Sequence, residues 1–382
     1  MPTLSSWLNK NESDISDLTE PEYEDADLMA VEPIYLPERQ REILDALMQK
    51  DFFLAIDRIE QAERDTAVDY RNSRIGRGKA WHDHALFLLA ERHPDVLSSM
   101  IDLTLPQRYL VDPRFERLVR IPGNPKTWDG YRDPVIYAQY IADKNGRGLS
   151  CADMKLLMGA LSAAAGLESD PNGLYTVKGV TIQKGINNQL TQIRKKKAHG
   201  FLDEVDKAQQ IPAMEAVVEE VVKIYTTKII PEAQKAGIDH VMLRPEVGWS
   251  AWGYKRCLHH SNLTNGSPPA FRLAQLVARH LFPTRGFRLH QFILFDVVQD
   301  EQAGIGESVG SILMGSYWTD GGWNVEQAGI SQTDSWTMTA KDWKEIQSLA
   351  HQKYLTHMED NINEVKKTYS NELEYLEVCA SA

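Results

Sequence analysis

An α+β fold is predicted, with a helical N-terminal part, a central antiparallel sheet packed on a buried helix, and a long C-terminal helix. Three stretches carry that prediction. Residues 148–167, GLSCADMKLLMGALSAAAGL, place Ser150 and Asp153 as a capping-box-like start. Leu156, Leu157, Ala160, Leu161 and Ala164 then recur at helical spacing until Gly166. Residues 288–298, RLHQFILFDVV, are a short, dense apolar run of the kind that fills the middle of a sheet. From Thr339, with Asp342 three residues on, Trp343, Ile346, Leu349, Tyr354, Met358, Ile362, Val365, Tyr369, Leu373 and Leu376 keep a mostly three-and-four spacing. About 37 residues of unbroken helix would reach roughly 55 Å.

Taken in order, residues 1–35 form an acidic arm. They hold nine acids against one lysine, a local charge of −8 out of the chain's −12, and too little apolar surface to fold alone. Such an arm suits a solvated tail, or a strap pinned to a basic surface. Residues 36–120 read as a helical subdomain, through Leu44, Leu47, Phe52, Phe53, Ile56 and Ile59 and then Ala85–Leu89, Val96, Leu97 and Ile101 around Pro94. Prolines and glycines from about 111 to 134 mark a boundary, and Val135–Ala142 is expected to be a helix leading into the cysteine helix.

Residues 121–335 form the α+β core, with residues 186–235 as a helical insertion that includes a strongly apolar helix, Ala213–Lys228. The alternating run Leu174–Ile182 is a strand or hairpin, and residues 272–282 a short helix. SILMGSYWTDGGWNV, residues 311–325, reads as a hairpin turning at Asp320, Gly321 and Gly322. Residues 336–382 make the terminal amphipathic helix.

The chain of 382 residues and 42% hydrophobic content can bury a sizeable core. Its apolar runs fall short of the roughly 18–20 residues that span a bilayer, and no signal-peptide pattern opens it, so a soluble, cytoplasmic protein without membrane contact is expected. Net acidity argues against a broad nucleic-acid surface, although Arg71–Lys79 and Arg194–Lys197 are local basic clusters. The GRGK at 76–79 lacks the glycine and hydroxyl positions of a P-loop.

No metal or cofactor is expected. His82 and His84 stand two apart and point to different sides of a helix, and Cys257, His259 and His260 lack the spacing of a ligand set. Cys151, Cys257 and Cys379 are scattered, as in a reducing compartment. Cys151 stands out because it falls in the first turn of a helix, where unpaired N–H groups and the helix dipole favour a thiolate. A capped, alanine-rich core helix with an inert cysteine accounts for the same residues.

The stretch resembles the nucleophile helix of the transglutaminase-like branch of papain-like cysteine enzymes: Cys151, Asp153, Leu157, the pair Ala160 and Leu161, and the pair Gly166 and Leu167 fall in that family's register. Two residues separate Gly148 from Cys151 where the family has one, and Met154 replaces its aromatic. His240, Gly248 and Trp249 resemble the family's histidine strand and following turn. Its third residue is missing among Ser250–Gly253, so Asp296 is the candidate substitute.

The resemblance implies Cys151 as nucleophile, His240 as base, Asp296 as orienting acid, N–H donors at Ala152 and Asp153, and an acyl-transfer or amide-hydrolysing reaction on a protein or peptide. The alternative is a non-catalytic assembly subunit, for example of a virion. It would bind neighbouring copies or partners through residues 1–35 and 339–376.

Overall fold

The computed structural model describes residues 31–66, 79–120, 133–165, 214–261, 268–325, 338–353, 361 and 363. The expected strand at 174–182, the basic clusters at 71–78 and 194–197, Cys379, and most of the arm and of the terminal helix lie outside the described residues.

The class is α+β, as predicted. Among the described residues six helices come first: α1 (Glu38–Met48), α2 (Phe52–Thr66), α3 (Lys79–Ala90), α4 (Pro94–Ile101), α5 (Leu105–Val111) and α6 (Pro113–Leu118). Pro94 and Pro113 sit in the first turn of their helices, where proline's missing N–H costs nothing. His93 and Asp112 accept the next backbone N–H as N-caps.

These helices do not form a separate subdomain. Their buried residues, among them Ile43, Ile56, Leu88 and Phe115, share one core with Ile136, Val247 and Phe295 of the sheet. The arm also ends earlier than expected. The chain divides at Val31 and Glu32, and Ile34 bridges to His240 while the Tyr35 hydroxyl donates to Glu232.

β1 (Val135–Ala142) is a strand, where a helix was expected. It is buried along its whole length and is the centre of an antiparallel sheet with β4 (Glu246–Ser250) on one side and β5 (Arg288–Asp296) on the other. VIYAQYIA is rich in β-branched and aromatic residues, and a strand covered on both faces loses the alternation that betrays half-buried strands. Pairing runs from Val135↔Ser250 to Gln139↔Glu246, and from Val135↔Asp296 to Ala142↔Arg288, with a bulge between Ile136 and Tyr137.

The helix laid on this sheet is α12 (Asp300–Met314), not the cysteine helix. Gly306 and Gly310, one turn apart, let it approach. A Cβ on Gly306 would stand 2.7 Å from Ile136 Cγ1, too close for real atoms. The expected hairpin at 311–325 is absent, because Ser311–Met314 complete α12 and only a bridge between Tyr317 and Asn324 follows.

A second core surrounds α7 (Cys151–Ala165), which follows the short β2 (Leu149–Ser150). Against it pack α8 (Met214–Ile224), a π-helical turn (Tyr225–Ile229), α9 (Ile230–Lys235) and α11 (Pro269–Leu281). The described part of the supposed insertion is therefore structural core. Tyr225 ties it to the segment between His240–Val241 and β4, its hydroxyl donating to Met242 O and accepting from Arg244 N–H.

β3 (His240–Val241) pairs with β2, α10 (Gly253–Ser261) follows β4, and α13 (Ala340–Lys353) begins the terminal helix. Among the described residues no helix is long and apolar enough to cross a membrane.

Candidate functional site

Backbone pairing brings Cys151 and His240 into the same neighbourhood. Leu149 pairs with Val241 and Ser150 with His240, so Cys151 opens its helix one residue beyond the histidine's partner. The side chains do not complete the expected dyad. The Cys151 thiol is fully buried among apolar residues, and its closest polar partner is the Ile238 carbonyl, to which it donates at 3.7 Å. His240 turns its Nε2 to the Glu32 carboxylate at 3.4 Å, and Glu32 also holds Arg147.

The helix-start donors are used internally as well. Cys151 N–H donates to Asp239 O at 2.7 Å and Asp153 N–H to Ser150 Oγ at 3.1 Å, so Asp153 offers no free N–H for an oxyanion. Burial pushes the Cys151 thiol above its ordinary value, the Asp239 charge adds to the rise, and Lys155 offsets part of it. The thiol is thus held in its protonated, unreactive form at neutral pH.

It follows that iodoacetamide should modify Cys151 far more slowly in the folded protein than in denaturant. Peptide mass spectrometry over a time course gives both rates. Native labelling as fast as in the unfolded chain would mean that the thiol is open after all.

Asp296 lies at the far end of the sheet. It pairs with Val135 at the start of β1, whereas Asp143, just past the other end, shares Arg285 with Asp153 of the cysteine helix. Eight residues of strand put roughly 24 Å between those ends. Asp296 therefore does not orient His240.

It belongs instead to a buried charge cluster. Arg92 donates to it at 2.8 Å, Arg120 reaches both Asp296 and Asp133, and the Asp296 backbone N–H donates to Glu91 Oε1 at 2.9 Å. Burial drives the Glu91 carboxyl up to about 8, against the pull of Arg92 and with the help of Asp296.

A third polar group lies on the face of β1 turned away from α12. The Tyr137 hydroxyl accepts from Arg256 Nε and meets His260 Nε2, each at 3.1 Å. Beside it Gln139 donates to Glu246 at 2.9 Å, and Gln291 donates to Gln139 and to Cys257 O. Burial pushes the Cys257 thiol up to about 12 and raises the Tyr137 phenol, so neither is an ionised nucleophile.

The sequence singles out Cys257 and His260 but not Tyr137, because a strand covered on both faces lacks the alternation that would mark it. Elsewhere, Asp57 and Glu60 of α2 and His82 of α3 bring donor atoms within 4.8 Å of one another. No protein-family model, curated protein or solved structure matches this chain.

Proposed function

We propose that this protein is a non-catalytic, self-associating assembly subunit. The observation that carries the reading is an apolar patch at the corner of α1 and α2, where Met48 is 63% and Phe53 44% exposed, with Leu54 beside them. The patch continues into a shallow depression lined by Leu44, Leu47, Phe52, Pro94 and Leu97. Exposed apolar side chains that run into an apolar depression make a surface of the kind that protein contacts cover.

Two further features support it. A sealed, protonated Cys151 supplies no nucleophile for acyl transfer, and by their sequence the acidic arm and the part of the seam beyond residue 363 offer chain extensions of the kind that assemblies exchange. The sealed thiol alone would suit any non-enzymatic protein, so it is the patch that favours self-association.

Sedimentation of the full chain over a range of concentrations tests the proposal. Wild-type protein should associate reversibly, and Met48→Glu with Phe53→Glu should leave monomers of unchanged circular dichroism. A wild type that stays monomeric throughout, or a double variant that associates as well as wild type, would sink it.

A further inference from the structure

We propose that Asp57, Glu60 and His82 form a binding site for a divalent transition-metal ion of the zinc type. Asp57 and Glu60 stand three apart on α2 and so share one helical face, and His82 faces them from the first turns of α3. His82 Nε2 is 3.0 Å from Glu60 Oε2 and 4.0 Å from Asp57 Oδ1. Two ligands at zinc's usual bond lengths and tetrahedral angle stand about 3.3 Å apart. The observed separations bracket that value, and small rotations of the exposed Asp57 would close the difference.

Neighbouring side chains hold the donors in place. The guanidinium of Arg64, one turn along from Glu60, pairs with Glu60 Oε1, which leaves Oε2 for an ion. That arrangement is the outer-shell support that ligating carboxylates usually have. The adjacent Trp81 is buried, anchors the turn that carries His82, and meets the imidazole edge to face at 5.7 Å.

The imidazole selects against magnesium and calcium, which prefer all-oxygen sites. Three protein donors leave a coordination position on the solvent side, where Asp57 is 66% exposed. His84, which the sequence set beside His82, is not in the cluster.

The competing account is a surface ion pair between protonated His82 and two acids. Titrating full-length protein with zinc chloride, and with cobalt chloride for its visible ligand-field absorption, separates the two. One equivalent should bind, with cobalt bands that zinc displaces. His82→Gln and Glu60→Gln should each weaken binding by about tenfold or more, while His84→Gln should not. Millimolar calcium should not compete. Equal affinity in wild type and His82→Gln, equal loss in His84→Gln, or no saturable binding at all would overturn the site.

Discussion

Replacing Asp296 with alanine should lower folding stability by about 3–5 kcal/mol, the usual cost of stripping one partner from a buried ion pair. Arg92, nearly inaccessible, and the partly exposed Arg120 both direct guanidinium groups at this carboxylate, and Arg92 does not reach bulk water without disturbing the helical layer. Urea unfolding measures the loss. A change below about 1 kcal/mol, typical of a surface substitution, would mean that the arginines relax outward.

The same cluster should make stability depend on pH through Glu91. Its carboxyl, ordinarily near 4.5, is raised to about 8 in the fold. Between those values the folded state keeps a proton that the unfolded chain has released. Stability therefore falls as pH rises through the window and levels off above it. Glu91→Gln should abolish that decline, and an unchanged slope in the variant would assign it to another group.

Ending the chain after Trp336 should abolish cooperative folding. The removed segment includes Met338, which is part of the sheet-side core, and Trp343 and Ile346, which pack against it. Gln347 also donates to Val298 O, and the Asn361 amide donates to Ala90 O and Arg92 O, each at 2.9 Å. Burying a large apolar side chain contributes about 1.5–3 kcal/mol, so losing three, even partly buried, approaches a total stability of about 5–15 kcal/mol.

A chain ending after residue 363 keeps all of these contacts and should unfold cooperatively. Calorimetry on both truncations decides the matter. If the shorter one retained the full-length midpoint and lost only its association, the whole terminal helix would be an interface and not part of the core.

The sequence revealed those elements whose signal is local. Ser150 and Asp153 announced the start of α7, the one-sided valines of α8 showed its buried face, and RLHQFILFDVV was read correctly as β5. β1 and α12 were missed for a shared reason. Elements buried on nearly every side carry no periodic contrast between apolar and polar positions, and three glycines lower the helical signal of α12 further.

The candidate site was legible only at the level of backbone pairing. The resemblance sets Cys151 beside His240, and the pairing of Ser150 with His240 brings their backbones close. Whether the thiol is open depends on packing around it, and the partner of His240, Glu32, was assigned to the arm. Asp296 was placed correctly at a strand end, yet its partners, Arg92 and Arg120, lie 204 and 176 residues away in sequence, beyond any local pattern.

The strand order β4-β1-β5 also has a consequence for synthesis on the ribosome. Val135 pairs with Ser250 and Asp296, so β1 is made about 115 residues before its first neighbour is finished and about 161 before its second. At about 5–20 residues per second, VIYAQYIA waits roughly 6–23 s with both hydrogen-bonding edges unpaired. During that interval the nascent chain presents an uncharged, β-prone segment without proline, the kind that joins with other chains. The folded protein hides this strand completely, and the newborn one depends on shielding by its own helical N-terminal layer or by a chaperone until β4 arrives.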